Sequence, residues 1–289
     1  MSSNIVLGNA TRQNLLSLQG INSNISTVQN HLATGLKVAS AVDNAVLFFQ
    51  AQGLDNRASD LNERKSTIDQ GISSLTTATQ ATQSVVSILQ QLQGLLNSAK
   101  TETAAQRAST SKQFNTLSLQ LNNLVNDASY QGLNLVNSTA SVLSLQFSIT
   151  STSLLKIHGF NQTVSKLVTA QAVGKASVLA TALVTGTFSK ASASGTSVFD
   201  KAFNTIQTAI FAAQAQAQSL GGNVTFLQTR LDFTSQYITT LQGGGDKLTV
   251  ADVNVESTNL VTLQTSQQLA IQSLSIATQS EQNVLRLFH

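Results

Sequence analysis

The sequence predicts a mainly α protein, a long antiparallel helical rod or coiled coil built from both termini, with a small β-hairpin-containing central insert. Three observations predict it. Apolar residues recur at steps of three and four over long stretches near both ends of the chain, the signature of helices joined along their length. There is no proline among the 289 residues, so no helix meets a ring that lacks an N–H. Strict apolar–polar alternation is confined to the middle, at 141–150, where it indicates a half-buried strand.

The first seam is Leu18, Ile21, Ile25, Val28 and Leu32. Gly35 and the Asp43–Asn44 pair interrupt it and are read as a hinge or linker. The second seam holds Ile68, Ile72, Leu75, Ala78, Thr82, Val85, Leu89, Leu92, Leu96 and Ala99. In SVLSLQFSIT (141–150), Leu143, Leu145, Phe147 and Ile149 alternate with Ser144, Gln146, Ser148 and Thr150, and SLLKIHGF (153–160) is the expected hairpin partner. From 163 to 190 the Ala/Val/Ser/Thr/Lys sequence has no clean period and does not decide between helix and strand.

Phe203, Ile206, Ile210, Ala213, Ala217, Leu220, Val224, Leu227, Leu231, Thr234, Ile238 and Leu241 then keep helical spacing straight through Gly221–Gly222. At 1.5 Å per residue that helix is on the order of 60 Å long, a rod and not a globule. Gly243, Gly244 and Gly245, followed by Asp246, are expected to end it and to form a second linker. The last seam contains Leu260, Leu263, Ala270, Ile271, Leu274, Ala277, Val284, Leu285 and Phe288. Two arms that fold back on each other place the first and last residues at one end of the rod.

Composition removes most chemistry. Zero cysteine excludes disulfides, thiolate metal sites and a cysteine nucleophile. His31, His158 and His289 have no second ligand type at helical or strand spacing, so no metal and no cofactor is expected. There is no HExxH, GxSxG or Walker-type lysine loop, and no pair of acids stands out as a general acid/base couple. The reading is therefore not an enzyme. The net charge of +3 comes from 16 Lys+Arg spread along the chain, and the densest group, NERKS at 62–66, contains an acid; no nucleic-acid partner is expected. No apolar run approaches the ~20 residues of a membrane span, and MSSNIVLGNATRQNLLSLQG has no secretory-signal pattern.

What remains is association. Between residues 1 and 36 only Arg12 is formally charged, and the chain closes on SEQNVLRLFH with an apolar cluster at Val284, Leu285, Leu287 and Phe288. A two-helix pair leaves one face of each helix uncovered, and a face without charge suits an environment filled on all sides. Other copies of the chain are the expected cover.

Specific motifs resemble bacterial flagellin, the subunit of the flagellar filament. LATGLKV (Leu32 to Val38) is similar to the family's Leu-Ser-Ser-Gly-Leu-Arg-Ile motif, and DNAV (Asp43 to Val46) to its Asp-Asp-Ala-Ala stretch. DQGIS at 69–73 is similar to Asn-Asp-Gly-Ile-Ser, and YQGLNLV at 130–136 to Phe-Asn-Gly-x-Asn-Leu-Leu. LGGNVTFLQTRLDFT (220–234) resembles Leu-Gly-Ala-x-x-Asn-Arg-Leu-Asp, and QNVLRLF (282–288) the ending Gln-Asn-Val-Leu-x-Leu-Leu. The order of the motifs at both ends makes them specific, and they cover roughly 1–136 and 200–289.

The resemblance implies a homo-polymer. Residues 1–40 and 250–289 would form the inner coiled-coil domain of the filament core, 41–136 and 198–249 a helical rod domain, and 137–197 a β-containing variable outer region. Ile72, Leu75, Leu89, Leu92, Leu220, Val224, Leu227 and Leu231 would be rod-domain packing residues. It also implies an extracellular place in the flagellum, type III export without a cleaved signal, an export chaperone, and hook-associated junction and cap proteins as partners. The alternative within the flagellum is a hook–filament junction protein; from another class, an adhesin would place its activity in 138–197. Two departures from the family pattern stand out. Phe48–Phe49 occupy positions where small residues are usual. ILQQLQGLLNSAK (88–100) is Gln-rich where many flagellins carry the Arg and Glu read by the vertebrate flagellin receptor, so weak or no recognition by that receptor is expected.

Overall fold

The structure is a computed structural model that describes residues 9–148, 153–169 and 196–287. Its elements are α1 (Asn9–Thr34), α2 (Ala41–Ala99), α3 (Ala104–Asp127), β1 (Val142–Gln146), β2 (Leu154–His158), α4 (Val164–Thr169), α5 (Thr196–Thr249) and α6 (Val253–Leu287). They form two compact units, one of Met1–Ala58 with Thr239–His289, the other of Ser59–Ile238.

In the second unit, the seams read from sequence become the core. Ile68, Leu75, Thr82, Leu89 and Leu96 of α2 are buried at seven-residue intervals, as are Ala78, Val85, Leu92 and Ala99. Phe199, Ile206, Ala213, Leu220, Leu227 and Thr234 of α5 repeat the interval, and Phe114, Leu121 and Val125 of α3 join the cluster. A seven-residue repeat keeps one stripe of a helix facing its neighbour over many turns. The two threonines in these repeats do not leave orphan hydroxyls: Thr82 Oγ1 donates to the Ala78 carbonyl at 2.7 Å and Thr234 Oγ1 to that of Arg230 at 2.8 Å. Gln93 on α2 hydrogen-bonds Gln207 on α5, and Lys100 Nζ lies 2.6 Å from Asp200 Oδ1.

Local chemistry sets the turns. Thr103 and Gln106 form a capping box that opens α3, satisfying donors that a helix start leaves free. At its other end the buried Asn134 donates Nδ2 to the carbonyls of Val125 (2.7 Å) and Asn126 (3.0 Å), while its Oδ1 accepts from Val136 N. The asparagine of the YQGLNLV motif thus ties the end of α3 to the chain that leads into the hairpin.

β1 and β2 pair antiparallel, with Leu143 opposite Ile157 and Leu145 opposite Leu155. The alternation places Leu145, Phe147 and Ile157 in the core. Of the segment from 163 whose state the sequence leaves undecided, α4 is helical, and the rest to 190 lies outside the described residues.

One expectation is corrected. α5 does not stop at Gly243–Gly245 but continues through them to Thr249. A Cβ at Gly245 would lie 3.2 Å from Asp55 Oδ1, and one at Gly244 would lie 3.4 Å from Leu54 Cδ1. A side chain at Gly245 would crowd Asp55 of α2, and the helix carries the triplet despite a propensity cost of about 1 kcal/mol per glycine.

Two glycines give opposite expectations. A Cβ at Gly94, inside α2, meets nothing within 4 Å, so Gly94→Ala should raise stability by about 0.5–1 kcal/mol. A Cβ at Gly159 would fall 2.4 Å from the Ser138 carbonyl oxygen, so Gly159→Ala should lower stability by about 1–3 kcal/mol. Urea unfolding of both variants checks this, and equal midpoints would contradict the hairpin placement.

Candidate assembly interface

α1 and α6 lie side by side and antiparallel. The direction is fixed by three cross-helix contacts: His31 Nδ1 to Glu256 Oε1 at 3.0 Å, Gln267 Nε2 to Asn22 Oδ1 at 2.6 Å, and Asn14 Nδ2 to Ser273 Oγ at 3.5 Å. Along this line Val28 is buried, while Leu18, Ile21, Ile25 and Leu32 on α1 and Leu260, Leu263, Ala270 and Leu274 on α6 are half-buried. Half-burial is what a two-helix pair can provide, because each side chain has a neighbour on one flank only.

A second stripe is left uncovered. Val255, Leu269 and Ile276 stand at multiples of seven on α6, and Leu269 and Ile276 are 62% and 63% exposed. Leu16, Val261 and the sequence-assigned Ile271 are exposed as well. Each such side chain, once buried, contributes about 1.5–3 kcal/mol. The side chains of Val284 and Leu285, and the whole of Phe288, lie outside the described residues.

At the base of the pair both chain crossings are clasped together. α1 ends at Thr34, and Gly35 takes φ +71°, a left-handed conformation suited to glycine. Lys37 N and Val38 N both donate to the Thr249 carbonyl (2.7 and 3.2 Å), and Ala251 N donates to that of Gly35 (2.9 Å). Asp252 Oδ1 then caps α6, accepting from Asn254 N at 3.0 Å. On the other strand Asp43 Oδ2 accepts from Ala39 N, Ser40 N and Ser40 Oγ at 2.9–3.1 Å. Asn44 has φ −160° and ψ 100°, which kinks the start of α2. The sequence points to Gly35, Asp43 and Asn44 through their residue types. It gives no sign of the backbone bonds to Thr249 and Ala251, since these use groups that every residue carries.

No group of three or more His, Asp or Glu side chains is placed to hold a metal, and no helix is long and apolar enough to cross a membrane, among the described residues. Long helices with sustained seams, a terminal pair covered on one side only and a single hairpin define a self-associating structural protein.

The comparisons give the family. The model of the bacterial flagellin N-terminal helical region matches residues 4–141. Flagellin FljK of Caulobacter vibrioides is 30% identical over 276 residues, 95% of this chain and 94% of that protein. A flagellin of Brucella melitensis is 26% identical over 284 residues, 95% of each. The chain belongs to the flagellin family and is a subunit of the flagellar filament, a structural protein and not an enzyme. Among solved structures, a putative flagellar hook-associated protein from Vibrio parahaemolyticus aligns with a TM-score of 0.59 at 12% identity, over 72% of this chain and 100% of that one. That is a likeness of fold alone.

Asp43 supplies a pH test. The Ser40 backbone N–H above all, then the Ser40 hydroxyl, the Ala39 N–H and the field of His31, hold its carboxyl below the usual 3.8. A depressed carboxylate stabilises the fold above its unfolded value, and that contribution is lost as pH falls through the folded value. Melting temperature followed downward from pH 5 should therefore fall more steeply for the wild type than for Asp43→Asn below pH 3.8.

Proposed function

We propose that copies of the chain assemble through the uncovered faces of α1 and α6, with residues 1–40 and 250–289 forming the filament core. Residues 41–136 and 198–249 act as the rod, and 137–197 as the variable outer region. The observation that carries this reading is the pair of apolar faces left bare on helices that bear almost no charge. Polymerisation covers those faces, and their burial offsets the roughly 1–2 kcal/mol per residue that ordering the chain costs. The adjoining hinge, from Gly35 to Asn44, sets the angle at which the chain leaves the core.

An interface that is apolar in the finished filament must be shielded before assembly. This supports an export chaperone that holds the C-terminal helix, while the likeness to flagellins supports type III export and an extracellular destination. Hook-associated junction and cap proteins, which would meet the same terminal helices at the filament's two ends, complete the set of partners. Along 88–100 the residues turned outward include Gln90, Gln91 and Gly94, while Leu89, Leu92 and Leu96 face the core. An outer face of amides supports weak or no recognition by the vertebrate flagellin receptor.

The test is seeded growth. Purified full-length chain, and a chain lacking residues 250–289, are mixed with sheared filament fragments and followed by negative-stain microscopy. The full-length chain should grow long filaments and the truncated chain none. Growth of the truncated form would overturn the assignment of α6. A full-length chain that stops at short caps would favour a junction role.

A further inference from the structure

One face of the second unit carries an aromatic and cationic stripe that packs on the core ring of Phe147 yet leaves much of its own ring surface exposed. On α5, Phe226, Arg230, Phe233 and Tyr237 follow at i, i+4, i+7 and i+11, a single helix face. Phe147, just past β1, meets Phe226 edge-on with centroids 6.1 Å apart, and Phe233 stacks on Tyr237 at 5.9 Å. The Arg230 guanidinium sits between two rings, 5.1 Å from the Phe147 centroid and 5.2 Å from that of Phe233, within cation–π range. Phe226 and Phe233 are nevertheless 49% and 52% exposed. Arg230 pairs with no carboxylate among the described residues, and its Nε is buried without a hydrogen-bond partner. Rings and arginine held rigid at a surface are the composition of an interface hot spot.

A complementary feature lies elsewhere on the same unit. Between α2 and α3 a shallow, wide-open depression is lined by Ala81, Leu124 and Ala128 with Gln80, Gln120 and Asn123 around them, and Asp127 stands among them at the last residue of α3. The Asp127 carboxylate is exposed and pairs with no cation among the described residues. Stripe and depression share no residue. An open helical filament requires a heterologous contact, in which one patch of a subunit meets a different patch of the next.

We propose that the Phe226–Arg230–Phe233 stripe of one copy docks in the α2–α3 depression of another copy, with Arg230 paired to Asp127 and the two rings over Ala81 and Leu124. The inference rests on the chain forming filaments, and it adds a contact outside the terminal helices. The stripe supplies the cation and the rings, the depression supplies the carboxylate and an apolar floor, and the pairing fixes the register between subunits.

The experiment is a charge swap on the full-length chain. Arg230→Glu, Asp127→Arg and the double variant are each added to wild-type seeds, and the critical concentration for elongation is measured. Circular-dichroism melting of each monomer reports whether it folds. Each single variant should raise the critical concentration about tenfold or more, and the double variant grown on its own seeds should recover most of the loss. Phe233→Ser, at a half-exposed ring, should raise it as well while leaving the monomer melt unchanged. The proposal is overturned if Arg230→Glu or Phe233→Ser elongates like wild type with a folded monomer, or if the double variant grows no better than the singles. Wild-type protein that fails to elongate would instead count against the filament assembly on which the inference depends, and would sink both.

Discussion

The structure depends on the seven-residue spacing of its buried side chains. At 68, 75, 82, 89 and 96 on α2, and at 199, 206, 213, 220, 227 and 234 on α5, every residue is buried, and no proline breaks either run. Helices of 59 and 54 residues would not persist on propensity alone, because helical stability in proteins comes chiefly from the covered face. With charged residues at only 10% of the chain, shape and periodicity do the work that salt bridges share in many coiled coils. The two threonines within the seams, Thr82 and Thr234, bond back to carbonyls of their own helices, so neither hydroxyl is left unsatisfied.

The two units solve the problem of burial differently. The second contains three long helical segments and a hairpin, enough elements to enclose a core of its own. The first contains the α1–α6 pair, whose seam residues stay half-buried and whose outer stripe is bare. A monomer can therefore be sound in one unit and incomplete in the other, and in the proposed assembly neighbours would finish the incomplete one. In that assembly, folding of the termini and polymerisation would draw on the same buried area.

Much of this was legible in the sequence, for reasons particular residues make plain. The seams through Leu75, Leu89, Leu220 and Leu227 announce themselves because burial imposes a period. The hairpin does so because Leu143, Leu145 and Phe147 alternate. The glycine triplet misled: Gly243–Gly245 looks like a helix end, yet the helix runs on to Thr249 with Gly245 close against Asp55. Of the clasp at 35–38 and 249–251 only Gly35 shows in residue type, since the bonds themselves are made of main-chain groups. Nor did the stripe around Arg230, because Phe147 reaches it from a distant part of the chain.

That clasp has a consequence for how the lineage can vary. Its bonds run from the amides of Lys37, Val38 and Ala251 to the carbonyls of Thr249 and Gly35, so what they ask of an inherited change is only that it keep an N–H in place. The exposed Val250 can change in polarity while these bonds persist, whereas Gly35 at φ +71° and the buried Val38 and Ala251 are held, and proline at 37, 38 or 251 would remove a donor. Exposed positions along the crossing can thus change over many generations while the main-chain joint between 35–38 and 249–251 stays as it is.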